Sequence, residues 1–173
     1  ILNGCECEPY LTADHRIMLE EPEKVVWGLR ALMKTLAAPK GFIGIEENKP
    51  DAIEALRKAI GSSTDIQIII LEAKYPQGAE KMLIVAATGK KVPVGKLPLD
   101  VGVVVNNVGT AAAIFEAVNW DKPLIERIVT ISGNGVKEPR NLKVRVGTSF
   151  EEVLSQCGGL VEGGEVEVLN GGP

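Results

Sequence analysis

Aromatic side chains are scarce: three Phe, two Trp and two Tyr, 4% of 173 residues. Since 45% of the chain is hydrophobic, the core must be aliphatic, as in layered α/β proteins. Cysteine and histidine are also rare, at three and one. An odd cysteine count in a chain of this size is no disulfide framework and fits a reducing compartment. Structural zinc and iron–sulfur sites usually need four ligands. Cys5-x-Cys7 with a distant Cys157 falls short, so no metal site is expected and the thiols read as small buried hydrophobes. No nucleophile accompanies His15 at a useful spacing, so no catalytic acid, base or nucleophile is assigned. The net charge is −4 without a basic cluster, which argues against nucleic acid as partner. No apolar run approaches the ~20 residues that span a bilayer, so direct membrane insertion is not expected. Neither Gly-x-Gly-x-x-Gly at a strand-to-helix turn nor a P-loop occurs, so ordinary phosphate cradles are missing. Ile1 and Pro173 read as cut ends of something longer.

Most informative is Asn3-Gly4-Cys5-Glu6-Cys7-Glu8-Pro9. If Leu2 to Glu8 runs extended, Asn3, Cys5 and Cys7 face one way and Glu6 and Glu8 the other. Two acids aimed together suit a pocket wall better than a core. A polar loop is expected from Tyr10 to Arg16. The first helix follows, with Pro22 in its first turn and Val25, Val26, Leu29, Leu32, Met33 and Leu36 at helical spacing. Phe42 to Ile45 reads as a buried strand. Asn48 is the expected N-cap and Pro50 an early-turn residue of the next helix.

Ile66 to Leu71, nearly all apolar, is expected to be a central parallel strand. After Tyr75-Pro76-Gln77-Gly78 comes a helix from Ala79 to Ala87, then a third strand, Val101 to Val105. It runs into Asn106-Asn107 and another helix. This alternation predicts a parallel three-layer sheet, whose ligands bind beyond the carboxyl ends of the strands. Glu6, Glu8 and Glu80 suit hydroxyl and amide hydrogens; Asn106 and Asn107 can cap a helix or present amides at its N-terminus. After residue 120 the chain changes to short strands (Ile125 to Ser132, Leu142 to Val146, Glu165 to Leu169) around one helix. Thr148 or Ser149 caps that helix and Gly158-Gly159 stops it. The expected division is 1–120 and 121–173.

These residues resemble a family. Asn3-Gly-Cys-Glu-Cys-Glu-Pro-Tyr-Leu-Thr-Ala-Asp14, Gly44-Ile-Glu-Glu-Asn-Lys-Pro50, Tyr75-Pro-Gln-Gly-Ala-Glu-Lys81 and Val105-Asn-Asn-Val-Gly-Thr110 look like the RnfC family, the C component of the Rnf electron-transport complex. Leu124-Ile-Glu-Arg127 and Cys157-Gly-Gly159 continue the likeness, which covers essentially the whole chain. That family is similar to the flavin-bearing NADH subunit of respiratory complex I. The resemblance implies a Rossmann-like FMN and NADH domain followed by a β-grasp module of the soluble-ligand-binding (SLBB) type. By it, Asn3, Glu6, Asn106 and Asn107 contact FMN. Glu8 and Glu80 lie nearer the nicotinamide dinucleotide, and Tyr75 shapes the pocket. The complex I protein has acids where this chain has Cys5, Ala79 and Gly109, which leaves contacts through those positions open.

The implied function is an electron-transfer subunit of a membrane-associated NADH:ferredoxin oxidoreductase. Hydride passes from NADH to FMN, and electrons pass on to 4Fe-4S clusters that this stretch does not ligate. Other Rnf subunits are the implied partners, at the cytoplasmic face of the bacterial inner membrane, peripherally held. The family's glycine-rich flavin-phosphate loop would precede Ile1 and its cluster ligands would follow Pro173, so weak FMN binding is expected of this stretch alone. Two alternatives remain: a microcompartment cobalamin reductase with the same flavin chemistry, and a non-enzymatic docking module.

Overall fold

A computed structural model describes residues 1–163 and 165–171. Two compact units emerge. One comprises Ile1–Cys7 and Asp14–Pro123; the other comprises Glu8–Ala13 and the chain from Leu124 onward.

The first unit is a parallel α/β, Rossmann-like sheet. Its strands are β1 (Leu2–Gly4), β2 (Gly41–Glu46), β3 (Ile66–Leu71) and β4 (Asn106–Asn107), in the spatial order β3-β2-β1-β4. Leu2 pairs with Ile43 on one side and with Asn106 on the other. The helices are α1 (Ala13–Glu20), α2 (Pro22–Thr35), α3 (Pro50–Ile60), α4 (Glu80–Thr88) and α5 (Val108–Trp120). Pro22 opens α2 because the first turn needs no N–H from it. Val25, Val26, Leu29 and Met33 then form its buried stripe.

Glycines let the layers meet. A Cβ on Gly28 of α2 would lie 2.0 Å from the Ala111 carbonyl oxygen of α5, so only glycine permits that helix contact. On β2, a Cβ on Gly41 would strike Met33 and Leu29 of α2, while one on Gly44 would strike Leu83 of α4. Residues an odd number apart point to opposite faces, so α2 and α4 cover opposite faces of the sheet. Leu2, Ile43, Ile45, Leu83 and Ile84 are fully buried between these layers.

The second unit pairs β5 (Glu126–Ile131) with β6 (Arg140–Arg145) antiparallel and adds α6 (Phe150–Gln156). Ser149 caps α6 by accepting the Glu152 N–H at 3.2 Å. Gly158 and Gly159 follow the helix with positive φ, as expected of a stop. Thr12 is stitched to this unit: its N–H donates to Thr130 Oγ1 at 3.1 Å, and its hydroxyl lies 3.2 Å from Asn141 Oδ1.

Several expected elements differ. The polar loop to Arg16 gives way to α1 from Ala13, because Ile17 and Met18 supply a buried helical face. The opening strand ends at Gly4: the Cys5 N–H turns back onto Asn3 Oδ1 at 3.0 Å, an Asx-type turn that breaks the alternation. The N-cap position of α3 is Lys49, not Asn48, and no side chain caps it. Strand β3 is an edge strand, and its Ile70 is exposed. Residues 103–105 are not in a regular strand; only Asn106 and Asn107 pair. Residues 165–169 form no strand.

Candidate functional site at the carboxyl edge of the parallel sheet

All four strands of the first unit run the same way, so β1, β2, β3 and β4 end at one edge, where such sheets bind ligands. The loop after each strand brings polar residues there. Two clamps organise them.

The first clamp is Asn3 on β1. Its amide nitrogen donates to the Gly78 carbonyl at 2.8 Å, tying β1 to the turn before α4. Gly78 must be glycine for this approach: a Cβ there would lie 2.7 Å from the Cys5 carbonyl oxygen. The turn itself is Tyr75-Pro76-Gln77-Gly78, closed by bonds from the Gln77 N–H to Lys74 O and from the Ala79 N–H to Pro76 O, both 2.8 Å. Tyr75 projects from it, 67% exposed, and Glu80 stands exposed in the first turn of α4.

The second clamp is built on the start of α1. The Glu6 carboxylate accepts the N–H of Asp14 at 2.9 Å and of His15 at 3.2 Å, satisfying two of the orphan donors that open the helix. Asp14 in turn accepts the Asn107 amide at 2.6 Å. Asn107 caps α5 by accepting the Gly109 N–H at 2.8 Å. His15 reaches α3 through a 2.8 Å contact between Nε2 and Asp51. Burial pushes the Glu6 carboxyl up from its ordinary value; the two N–H bonds work against that, and the Asp14 charge adds to it. The His15 bond first, then the Ala52 N–H, holds Asp51 below its ordinary value.

Beneath this edge lies a buried ion pair, Lys49 on Glu46, with Asn48 Oδ1 also within 3.3 Å of Lys49 Nζ. Both charged side chains are almost fully buried. Beside them the Cys5 thiol is pushed up to about 12, first by burial and then by the Glu46 charge. It stays protonated at neutral pH, consistent with packing rather than nucleophilic chemistry. Among the described residues no cluster of His, Cys, Asp or Glu could hold a metal, and no helix is long and apolar enough to cross a membrane.

Of the residues singled out from the sequence, Asn3, Glu6, Tyr75, Glu80, Asn106 and Asn107 all belong to the first unit. Strand pairing sets Asn3 directly beside Asn107. Glu8 belongs to the other unit, in the segment Glu8–Ala13 that groups with the chain from Leu124 onward. The roles also divide. Asn3, Glu6 and Asn107 already bond to the protein and build the frame. Asn106 makes no side-chain hydrogen bond among the described residues, and it is half-buried. Sequence reasoning singled out neither Asp14 as a link nor the Glu46–Lys49 pair. Ile17 and Met18 were the available signal for α1; Glu6 capping it from a distance had none.

Similarity to known proteins bears on this edge. Residues 1–116 match the Nuo51 FMN-binding domain family, and residues 128–173 match the SLBB domain family. This chain belongs to the Nuo51 FMN-binding domain family. It is 56% identical over 173 residues to the C component of the proton-translocating ferredoxin:NAD(+) oxidoreductase complex of Clostridium ljungdahlii. It is 53% identical over 174 residues to the C component of the Na(+)-translocating ferredoxin:NAD(+) oxidoreductase complex of Acetobacterium woodii. Each match takes in all of this chain but only 37% and 39% of the relative. The fold is that of a chain in the crystal structure of NAD+-reducing [NiFe]-hydrogenase in the H2-reduced state. There the TM-score is 0.76 at 21% identity, covering 90% of this chain and 32% of that one.

The residues at this edge suit a flavin. Asn106 offers both an amide donor and a carbonyl acceptor, the pairing that a flavin's polar ring edge or a ribityl hydroxyl requires. Glu80 can accept from hydroxyls.

Proposed function

We propose that this chain is the flavin- and nicotinamide-binding portion of the C component of an Rnf-type NADH:ferredoxin oxidoreductase. Electrons taken from NADH go on to iron–sulfur clusters ligated outside this stretch. The observation that carries this reading is the meeting of Asn3, Asn106, Asn107 and the Tyr75–Glu80 segment at the carboxyl edge of a parallel sheet, in a chain of an FMN-binding family.

FMN, when bound, supplies the hydride and single-electron chemistry. The chain supplies binding and orientation. Asn106 holds a polar edge of the ring or polyol through its amide. Asn107, the next residue, caps the α5 N-terminus. Glu80 takes hydroxyl hydrogens of the nicotinamide dinucleotide, and exposed Tyr75 gives that ligand an aromatic wall. Held in register, donor and acceptor need no general acid or base for hydride transfer, so orientation provides the rate.

By the same reading the protein works beside other subunits of an ion-translocating complex, held peripherally at the cytoplasmic face of the membrane. The test is the full-length protein, purified and followed by absorbance and by NADH oxidation with an artificial electron acceptor. A flavin spectrum with NADH-dependent bleaching is expected. A full-length preparation that neither holds nor takes up FMN would overturn the reading.

A further inference from the structure

We propose that Asp14 is a positioning residue for the flavin edge: its carboxylate fixes the Asn107 amide while its backbone N–H holds the Glu6 carboxylate. This rests on the flavin reading above.

An asparagine amide has two polar ends and can flip between them. Asn107 Oδ1 is occupied by the Gly109 N–H. Asp14 Oδ2 at 2.6 Å from Asn107 Nδ2 holds the other end, because a carboxylate accepts and cannot donate. Only one amide orientation satisfies both partners. The same residue's N–H binds Glu6 Oε1 at 2.9 Å. Asp14 therefore fastens the exit of β1, the start of α1 and the start of α5 at one point, and strand pairing sets Asn107 beside Asn3.

An acid in the first turn of a helix also has a simpler use, which is to complement the helix dipole. That use needs no partner on another helix. The aim at Asn107, 93 residues away, is what the dipole does not explain.

The two uses separate in a pair of variants of the full-length protein. Asp14→Asn loses the charge but keeps an oxygen that can accept from Asn107. Asp14→Ala loses both. Flavin-fluorescence titration is expected to show FMN affinity within about threefold of wild type for Asp14→Asn. A loss of tenfold or more is expected for Asp14→Ala, with a shifted flavin reduction potential. Equal weakening in both variants, or none in Asp14→Ala, would overturn the proposal. A second readout needs no flavin: solvent exchange of the Asn107 side-chain amide, followed by NMR. Protection in wild type and Asp14→Asn but not in Asp14→Ala is expected; protection unchanged in Asp14→Ala contradicts it. Should wild type itself take up no FMN, the flavin reading fails, and amide exchange still decides whether Asp14 positions Asn107. If Asp14→Ala does not fold, Asp14→Ser serves instead, since serine starts helices well and its hydroxyl is too short to span the gap.

Discussion

In the parallel-sheet unit Leu2, Ile43, Ile45, Leu83 and Ile84 have no exposed surface. In the two-stranded unit every residue of β5 is only partly buried, and among the described residues Val153 and Cys157 are its buried apolar ones. Phe150, Val146 and Ile125 remain exposed there. A unit of about 50 residues buries a smaller share of its surface than a larger domain. The larger unit can thus hold side chains to fixed positions, which a cofactor edge requires. The smaller one rests on a few contacts and should open at lower free energy.

The largest effect that would sharpen this contrast lies under the sheet edge. Lys49→Met leaves Glu46 buried without its partner, and losing one member of such a pair costs roughly 3–5 kcal/mol. Denaturant unfolding should show the loss in the parallel-sheet transition alone. A cost below about 1 kcal/mol would mean that water reaches the pair. Next, Val153→Ala removes a buried side chain from the thin core, at a cost of about 1–2 kcal/mol. Hydrogen exchange should rise across β5, β6 and α6 and stay unchanged in β1 and β2. Exchange that rises everywhere would mean that the units do not unfold separately.

A smaller effect tests the Glu6 clamp. Burial raises the Glu6 carboxyl in the folded protein, so the folded state holds that proton more tightly than the unfolded chain. The resulting penalty is absent below the ordinary carboxylate pKa. It grows as pH rises from there and is complete once pH exceeds the raised folded value. Stability should fall across that window in wild type, and Glu6→Gln should flatten this component. Asp51, held low by His15, acts in the opposite direction, so the difference between the two proteins is the quantity to measure. A difference that does not change with pH would contradict the Glu6 assignment.

Much of the fold was legible because it rests on local patterns. The apolar stripes of α2 and α3, Pro22 and Pro50 at helix starts, Ser149 as a cap and the glycine pair after α6 each declare themselves within a few residues. The parallel sheet followed from alternation. What misled was also local. Ile66 to Leu71 reads as central because it is apolar, yet position within a sheet is set by pairing, which composition does not encode. Val101 to Val105 has strand composition, but on that side of β1 the pairing begins only at Asn106.

At the site, the residue types were legible and their division of labour was not. Asn3, Glu6 and Asn107 are expected as ligands from the sequence, and in the fold each also bonds to the protein as a clamp. The reason is that their partners, Gly78, Asp14 and His15, are distant in sequence or sit in a helix start that no nearby cap announces. The alternation expected from Leu2 to Glu8 stops at Gly4, where the chain turns instead of continuing extended.

The most direct measurement is FMN affinity of the full-length protein carrying Asn106→Ala, set against Ser62→Ala in the exposed turn that precedes β3. On the proposed reading Asn106 gives its amide to the flavin, so its loss should weaken FMN at least tenfold by flavin-fluorescence titration, while Ser62→Ala matches wild type. Equal, undiminished affinity in both variants would show that the flavin does not sit at the carboxyl edge of this sheet.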